Sequence, residues 1–496
     1  MTTAVGGMPV GERRATLGSG PLAPGGSGRC EEVERVPVEV ETAGAGSPPD
    51  PTTLLRSRAY LALLAMAALI GVPVSAAAFG FLALVGEAQP LIYSDLPEAL
   101  GFDGTPAWWP LPLLAVGGLL VGLTVRYLPG HGGHEPTAGF QPSGAPPPVE
   151  LPGIFLAALA TLCFAAVLGP EAPLLALGGG LAAAAVRLVG RNPPEQMSAV
   201  LGATGSFAAV SSLLGSPLLG AFLLMEASGL GGPMMAMVLV PGLLASGVGA
   251  LIFVGLGSWT GLGTYSLTLH DVPEATRPTA AEFGWALVIG LSAALVAAGV
   301  RWLAVRLKAR VERRRVPATV VIGVVVAGLA IGYAEGTGKP ATDVLYSGQT
   351  ALDPFLTHSA AYSVGALALL VVCKGLSYCA SLSAFRGGPI FPAMFVGAAG
   401  GILCSHLPGL SLVAGFAMGI GAMSAAMLRL PLVSVLLATL LIGAQGITVM
   451  PLVIVAVVVS YVTTARLTPL PVPTRPPGPS STPPPEPGRG EPQPPP

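Results

Sequence analysis

The chain has 496 residues, 52% of them hydrophobic and only 10% charged, with 24 Lys and Arg against 25 Asp and Glu for a net charge of −1. A mean hydropathy of +0.72 excludes an ordinary soluble domain, and the lack of a basic excess excludes a phosphate-tracking nucleic-acid binder. Apolar runs long enough to cross a bilayer, about 20 residues each, recur from Leu54 to Arg466 without strand-like alternation, so the expected class is an all-α polytopic membrane protein.

Residues 1–53 are rich in Gly, Pro, Glu and Arg, lack the apolar core of a signal peptide, and read as a disordered tail. Residues 54–258 follow as a first membrane repeat, with apolar segments near 57–86, 108–128, 150–168, 171–190, 196–214, 217–230 and 233–257. Several are too short or too broken by Gly and Pro to span alone, the pattern of tilted and discontinuous helices. Early in this repeat stands Gly130-His131-Gly132-Gly133-His134-Glu135-Pro136. Its two histidines and one acid lack a fourth ligand, so no metal is expected. Gly132 and Gly133 read instead as a backbone cradle for an anion, before a helix beginning near Pro136.

Gly169-Pro170-Glu171-Ala172-Pro173 opens the next apolar segment. Proline in a first helical turn costs nothing, because its missing N–H would have been unpaired. A helix starting inside the apolar region presents free N–H groups and a positive dipole end, which is an anion site. Glu171 in that first turn can fold onto those N–H groups in place of an anion, and on protonation it loses the attraction. It reads as both plug and proton acceptor, the bland reading being a helix-dipole acid with no transport role. Glu226, within Leu223-Leu224-Met225-Glu226-Ala227, either carries a proton or ends its helix at the cytoplasmic face.

The cluster Arg301, Arg306, Lys308, Arg310, Arg313, Arg314 and Arg315 joins two apolar spans, and Arg187 with Arg191 joins another pair. By the positive-inside rule both connections are cytoplasmic, which puts Glu87 to Asp103 and His270 to Glu274 outside. A second repeat at 281–467 has segments near 281–307, 316–334, 358–384, 389–405, 410–428, 431–445 and 449–466. Lys374 within it is expected to snorkel to the interface. Gly388-Pro389-Ile390-Phe391-Pro392 repeats the earlier element, and the two helix starts are expected to converge at mid-membrane on one halide-sized anion held by peptide dipoles instead of a cationic side chain. Gly202-Ala203 and Gly215-Ser216-Pro217-Leu218 in the first half have counterparts in Gly421-Ala422 and Arg429-Leu430-Pro431-Leu432. The odd number of segments between matching points predicts an inverted repeat. Residues 468–496 are proline-dominated and read as a solvated tail. Cys163, Cys373, Cys379 and Cys404 lie in or beside apolar helices with neither metal nor disulfide spacing.

These elements resemble the CLC family of chloride channels and chloride/proton antiporters. Gly169-Pro170-Glu171-Ala172-Pro173 is similar to that family's Gly-Arg/Lys-Glu-Gly-Pro motif, Gly387-Gly388-Pro389-Ile390-Phe391-Pro392 to its Gly-Gly-x-Phe-x-Pro motif, and Gly132-Gly133-His134-Glu135-Pro136 stands where the family has Gly-Ser-Gly-Ile-Pro. The resemblance covers Arg58 to Arg466. It implies an inverted-repeat helical fold in the cell membrane, both termini cytoplasmic, and a homodimer with one anion path per subunit. Glu171 matches the external gating glutamate, Ile390 and Phe391 would give backbone N–H groups to the central anion, and Gly169, Ala172 and Gly388 complete the two cradles. Gly133 replaces the serine that touches the anion, Ala227 replaces the second of two internal glutamates, and Glu226 matches the first. The inner tyrosine is missing near Thr468 to Pro471, with Tyr461 a poorly placed substitute, and cytoplasmic CBS domains are absent.

The leading functional expectation is passive transport of chloride or a similar small anion through a channel gated by Glu171, with no cofactor. The rival within the class is a chloride/proton antiporter, or an exporter of another anion such as fluoride. The rival outside it is a transport-inactive membrane scaffold. No acid/base pair or metal set supports an intramembrane enzyme.

Overall fold

The structure is a computed structural model that describes residues 56–139, 144–189, 195–211, 213–228, 232–267 and 269–467. The tails expected at 1–53 and 468–496, and Arg191, lie outside the described residues.

Each of the fourteen apolar segments forms a helix. The first repeat holds α1 (Arg58–Pro90), α2 (Pro110–Tyr127), α3 (Leu151–Cys163), α4 (Glu171–Val189), α5 (Glu195–Val210), α6 (Pro217–Ser228) and α7 (Gly232–Thr260). The second holds α8 (Ala280–Val311), α9 (Arg315–Thr337), α10 (Val364–Ala384), α11 (Ile390–Ser405), α12 (Leu412–Leu428), α13 (Pro431–Leu441) and α14 (Ala444–Leu467). Among the described residues, seven stretches are long and apolar enough to cross a membrane, whereas the helices at α3, α5, α6, α11, α12 and α13 have 10–17 residues. Their ends therefore fall within the molecule, where protein groups must satisfy them.

The packing repeats with the helices. α1 packs on α7 as α8 packs on α14, α4 on α5 as α11 on α12, and α5 on α7 as α12 on α14. The pairs α2 with α9 and α6 with α13 join the halves. The same order of contacts in both halves is the internal repeat of a fold built from tilted and discontinuous helices. Side chains at the buried seams are small because backbones touch there: a β-carbon on Gly415 of α12 would lie 2.6 Å from the Gly401 carbonyl of α11, and one on Gly178 of α4 would lie 2.6 Å from that of Gly205 on α5. Such close approach supplies the dispersion contact that drives helix association where lipid removes the hydrophobic term. Leu291, Leu295 and Val296 of α8 and Ile454, Val458 and Val462 of α14 are exposed on the outer surface.

Three expectations are corrected. α3 stops at Cys163 and does not continue to 168. Ala165, at φ 64°, breaks the helix there, and the segment is satisfied at a distance: the Ala165 carbonyl accepts from Tyr346 N–H (3.1 Å) and Val167 N–H donates to Ser381 Oγ (3.1 Å). The helix expected near Pro136 is a single 3₁₀ turn, Pro136–Ala138. Lys374 does not snorkel. It is 1% exposed, and its Nζ donates to the carbonyls of Asp343, Leu345 and Tyr346 at 3.1, 2.6 and 3.1 Å. These bonds use all three ammonium protons, which is how a buried cation is tolerated.

Candidate anion site

The two proline elements are joined directly. Gly169 N–H donates to the Gly388 carbonyl at 2.8 Å and Gly388 N–H to the Gly169 carbonyl at 2.6 Å, an isolated antiparallel bridge. It pins the starts of α4 and α11 side by side. Each start has prolines at two positions, Pro170 and Pro173 in one and Pro389 and Pro392 in the other. Proline has no N–H, so the free donors of the first turns reduce to Glu171, Ala172, Ile390 and Phe391.

Glu171 fills this space. Its side chain is fully buried, and Oε1 accepts from Ile390 N–H at 2.5 Å. Oε2 is buried with no hydrogen-bond partner. The carboxylate thus lies across from its own helix onto the positive end of the other, as a bound anion would. With the Glu171 carboxyl group in this place, only glycine fits at 388, because a β-carbon there would fall on it.

A tyrosine that the sequence reading overlooked stands behind the second start. Tyr378 of α10 is fully buried, its hydroxyl donates to the Pro389 carbonyl at 2.9 Å, and it is near enough to Glu171 to sense its charge. Tyr461 instead lies near Arg429. Only the pairing of α10 with α11 reveals Tyr378; its setting, Gly375 to Ser383, reads as core.

On one side of Glu171 a cavity of about 280 Å³ reaches Leu168 and Pro170, walled by Gln89, Tyr346, Gln349 and Asp353. At its edge Asp353 accepts from the His270 N–H at 2.8 Å and contacts the imidazole Nδ1 at 3.1 Å. A second cavity, of about 10 Å³, is lined by Gly132, Gly133, His134, Ala172, Pro173 and Arg386. It unites the three motifs and is near the lower limit for one water-sized occupant. The Gly133 N–H donates to the Gly130 carbonyl at 2.8 Å, so this turn binds itself and its amide does not point at the cavity as a free donor. His131 and His134 each bond a backbone carbonyl, of Val125 at 3.2 Å and of Gly139 at 2.9 Å.

One buried cationic side chain, Arg386, stands beside the small cavity. It is 3% exposed, lines the small cavity, and donates from Nε to the His131 carbonyl at 3.1 Å. Glu226 is not brought to this site. Its carboxylate accepts from Leu432 and Val433 N–H at 2.9 and 2.8 Å, capping α13.

Comparison with known proteins accords with this geometry. Residues 117–465 match the family model described as Voltage gated chloride channel. The "Putative ion-transport protein YfeO" of Salmonella paratyphi A is 30% identical over 361 residues, covering 70% of this chain and 81% of that protein, and its Salmonella typhimurium counterpart gives the same figures. A slow cyanobacterial Cl−/H+ antiporter has a similar fold, with a TM-score of 0.65 at 17% identity over 82% of this chain and 94% of its own. A CLC-type fluoride/proton antiporter reaches 0.59 at 19% over 82% and 96%. With a match over most of its length and the family's fold built around two bridged helix starts, the chain belongs to the voltage gated chloride channel, or CLC, family of membrane anion-transport proteins.

Proposed function

We propose that this chain is a passive anion channel, conducting chloride or a similar small anion past Glu171 as its gate. The observation that carries the reading is the buried Glu171 carboxylate bonded to Ile390 N–H, with its second oxygen unpartnered. An anion and the carboxylate are alternative occupants of the same first-turn amides, so withdrawal of Glu171 opens the place it holds. Ile390, Phe391 and Ala172 are the donors offered to the anion, and Gly169 and Gly388 keep the space clear. Channel action is favoured over proton exchange because Glu226 is committed to the α13 amides and Ala227 beside it carries no acid, leaving no internal proton acceptor at that position.

Proton-coupled exchange is the second reading. Glu171 is titratable, and two solved proteins of this fold are described as antiporters. The basic Arg301–Arg315 connection assigns its side to the cytoplasm, with the 280 Å³ cavity outside, and both termini cytoplasmic. The family resemblance adds a homodimer with a separate path in each subunit.

Purified protein in liposomes under an outward chloride gradient is the test. We expect chloride efflux once charge is compensated, with no proton movement against its own gradient. Uphill proton movement would replace the channel by the antiporter. No flux of chloride, fluoride or nitrate, with or without Glu171→Ala, would remove both.

A further inference from the structure

We propose that Arg386, Arg315 and Lys308 form a second anion-binding site, which the Glu135 carboxylate occupies as a built-in anion until a small inorganic anion displaces it. The inference rests on the reading that anions pass Glu171, and deepens it by adding a binding step on the side of the Arg301–Arg315 connection.

Four ion pairs define the place. Lys308 is hydrogen-bonded to Glu135 Oε2, while Arg315 Nη2 and Arg386 Nη2 lie 3.8 and 3.6 Å from Oε1. Lys308 also lies 3.6 Å from Glu312. Three cations thus share two carboxylates, and one positive charge is left uncompensated within the cluster. Both guanidinium groups also keep buried nitrogens, Arg315 Nη1 and Arg386 Nη2, with no hydrogen-bond partner. The Arg386 side chain is 4% exposed, so bulk solvent does not reach it. Leaving such donors unsatisfied is costly, and an anion accepting from both would relieve it.

Burial by itself would raise the Glu135 pKa, but the Lys308 hydrogen bond and the charges of Arg386, Lys308 and Arg315 outweigh it and hold the carboxyl below its ordinary value. Glu135 is therefore present as an anion at neutral pH. It is also 35% exposed, which lets it swing outward while Arg386 stays fixed by the His131 carbonyl. The location is continuous with the path: Arg386 faces Glu135 on one side and, with Gly132, Gly133 and Ala172, lines the 10 Å³ cavity at the first turn of α4 on the other.

Bromide is the probe, followed by titration calorimetry on the full-length purified protein and by anomalous density from bromide-soaked crystals. Glu135→Gln is expected to gain one bromide between Arg315 Nη1 and Arg386 Nη2. Arg315→Met in that background should weaken this gained binding about tenfold or more, the scale of one hydrogen bond to a charged group. Arg386→Met should abolish it, and Arg315, nearer the surface, carries the test if the Arg386 variant does not fold. A folded Glu135→Gln protein that binds no more bromide than the wild type overturns the proposal and makes the cluster a structural ion-pair network. The Glu171 reading is scored separately: Glu171→Gln should place bromide on the Ile390 and Phe391 amides whether or not Arg315 is replaced. Absence there, with bromide in the cluster, counts against the gate alone.

Discussion

Glu171 and Glu226 are two carboxylates of the first half that each close a helix start in the second, yet their settings differ. Glu226 is partly exposed and spends both oxygens, on Leu432 and Val433 N–H. Glu171 is fully buried and spends one on Ile390 N–H, leaving the other unpartnered. The same electrostatics at a helix N-terminus makes a strut of Glu226 and, in the function proposed, a removable plug of Glu171. What separates them is satisfaction: a fully bonded, hydrated carboxylate gains nothing by leaving, whereas a buried, half-bonded one can be replaced by another anion or by a proton.

The largest expected effect comes from removing the plug. Glu171→Ala should raise chloride efflux from liposomes about tenfold or more, since a hydrogen bond to a charged group is worth ~1.5–3 kcal/mol and about 1.4 kcal/mol is a factor of ten. An unchanged or slower rate would mean that the carboxylate does not block the path. Gly388→Ala is the next most informative change. Its methyl group would fall on the Glu171 carboxyl and force it out, so this variant should also leak. Efflux from Gly388→Ala/Glu171→Ala should match that of Glu171→Ala alone, a non-additivity that identifies a shared mechanism.

Glu226→Gln sharpens the other side of the comparison. It should lower thermal stability by about 1 kcal/mol, the usual scale of a lost cap or dipole partner, and leave the anion-to-proton flux ratio unchanged. A change in proton movement would return Glu226 to the transport path. The smallest effect concerns Glu135. Because its folded-state pKa is lowered, its pairs contribute stability that is fully present above the ordinary carboxylate value of 4.5 and is lost as pH falls through the lowered folded value. With a third of the side chain exposed, that contribution is under about 1 kcal/mol after screening. Melting curves of wild type and Glu135→Gln should therefore converge on acidification below that value, and curves that remain parallel would show that the charge of Glu135 is not engaged.

Local rules carried far in this chain. A backbone in lipid must bond internally, so each of fourteen apolar runs had to be a helix, and the two proline elements had to mark starts inside the protein. Their repetition and the odd number of apolar segments between matching points made the inverted arrangement readable, and the first-turn amides at Glu171, Ala172, Ile390 and Phe391 follow from where proline stands. Lys374 and the run after Cys163 misled for one reason: hydropathy registers that a residue is buried but not which distant carbonyl or hydroxyl satisfies it.

Tertiary structure alone decided the partners. Glu171 reaches Ile390 across 219 positions and Glu226 reaches Leu432 across 206. The Gly169–Gly388 bridge, the Tyr378 bond to Pro389 and the gathering of Lys308, Arg315 and Arg386 around Glu135 likewise join segments far apart in the chain. Composition and periodicity determine where a helix begins and that its first amides are free. How deeply a carboxylate there is buried, and how many of its oxygens are satisfied, only the close packing of two repeats decides.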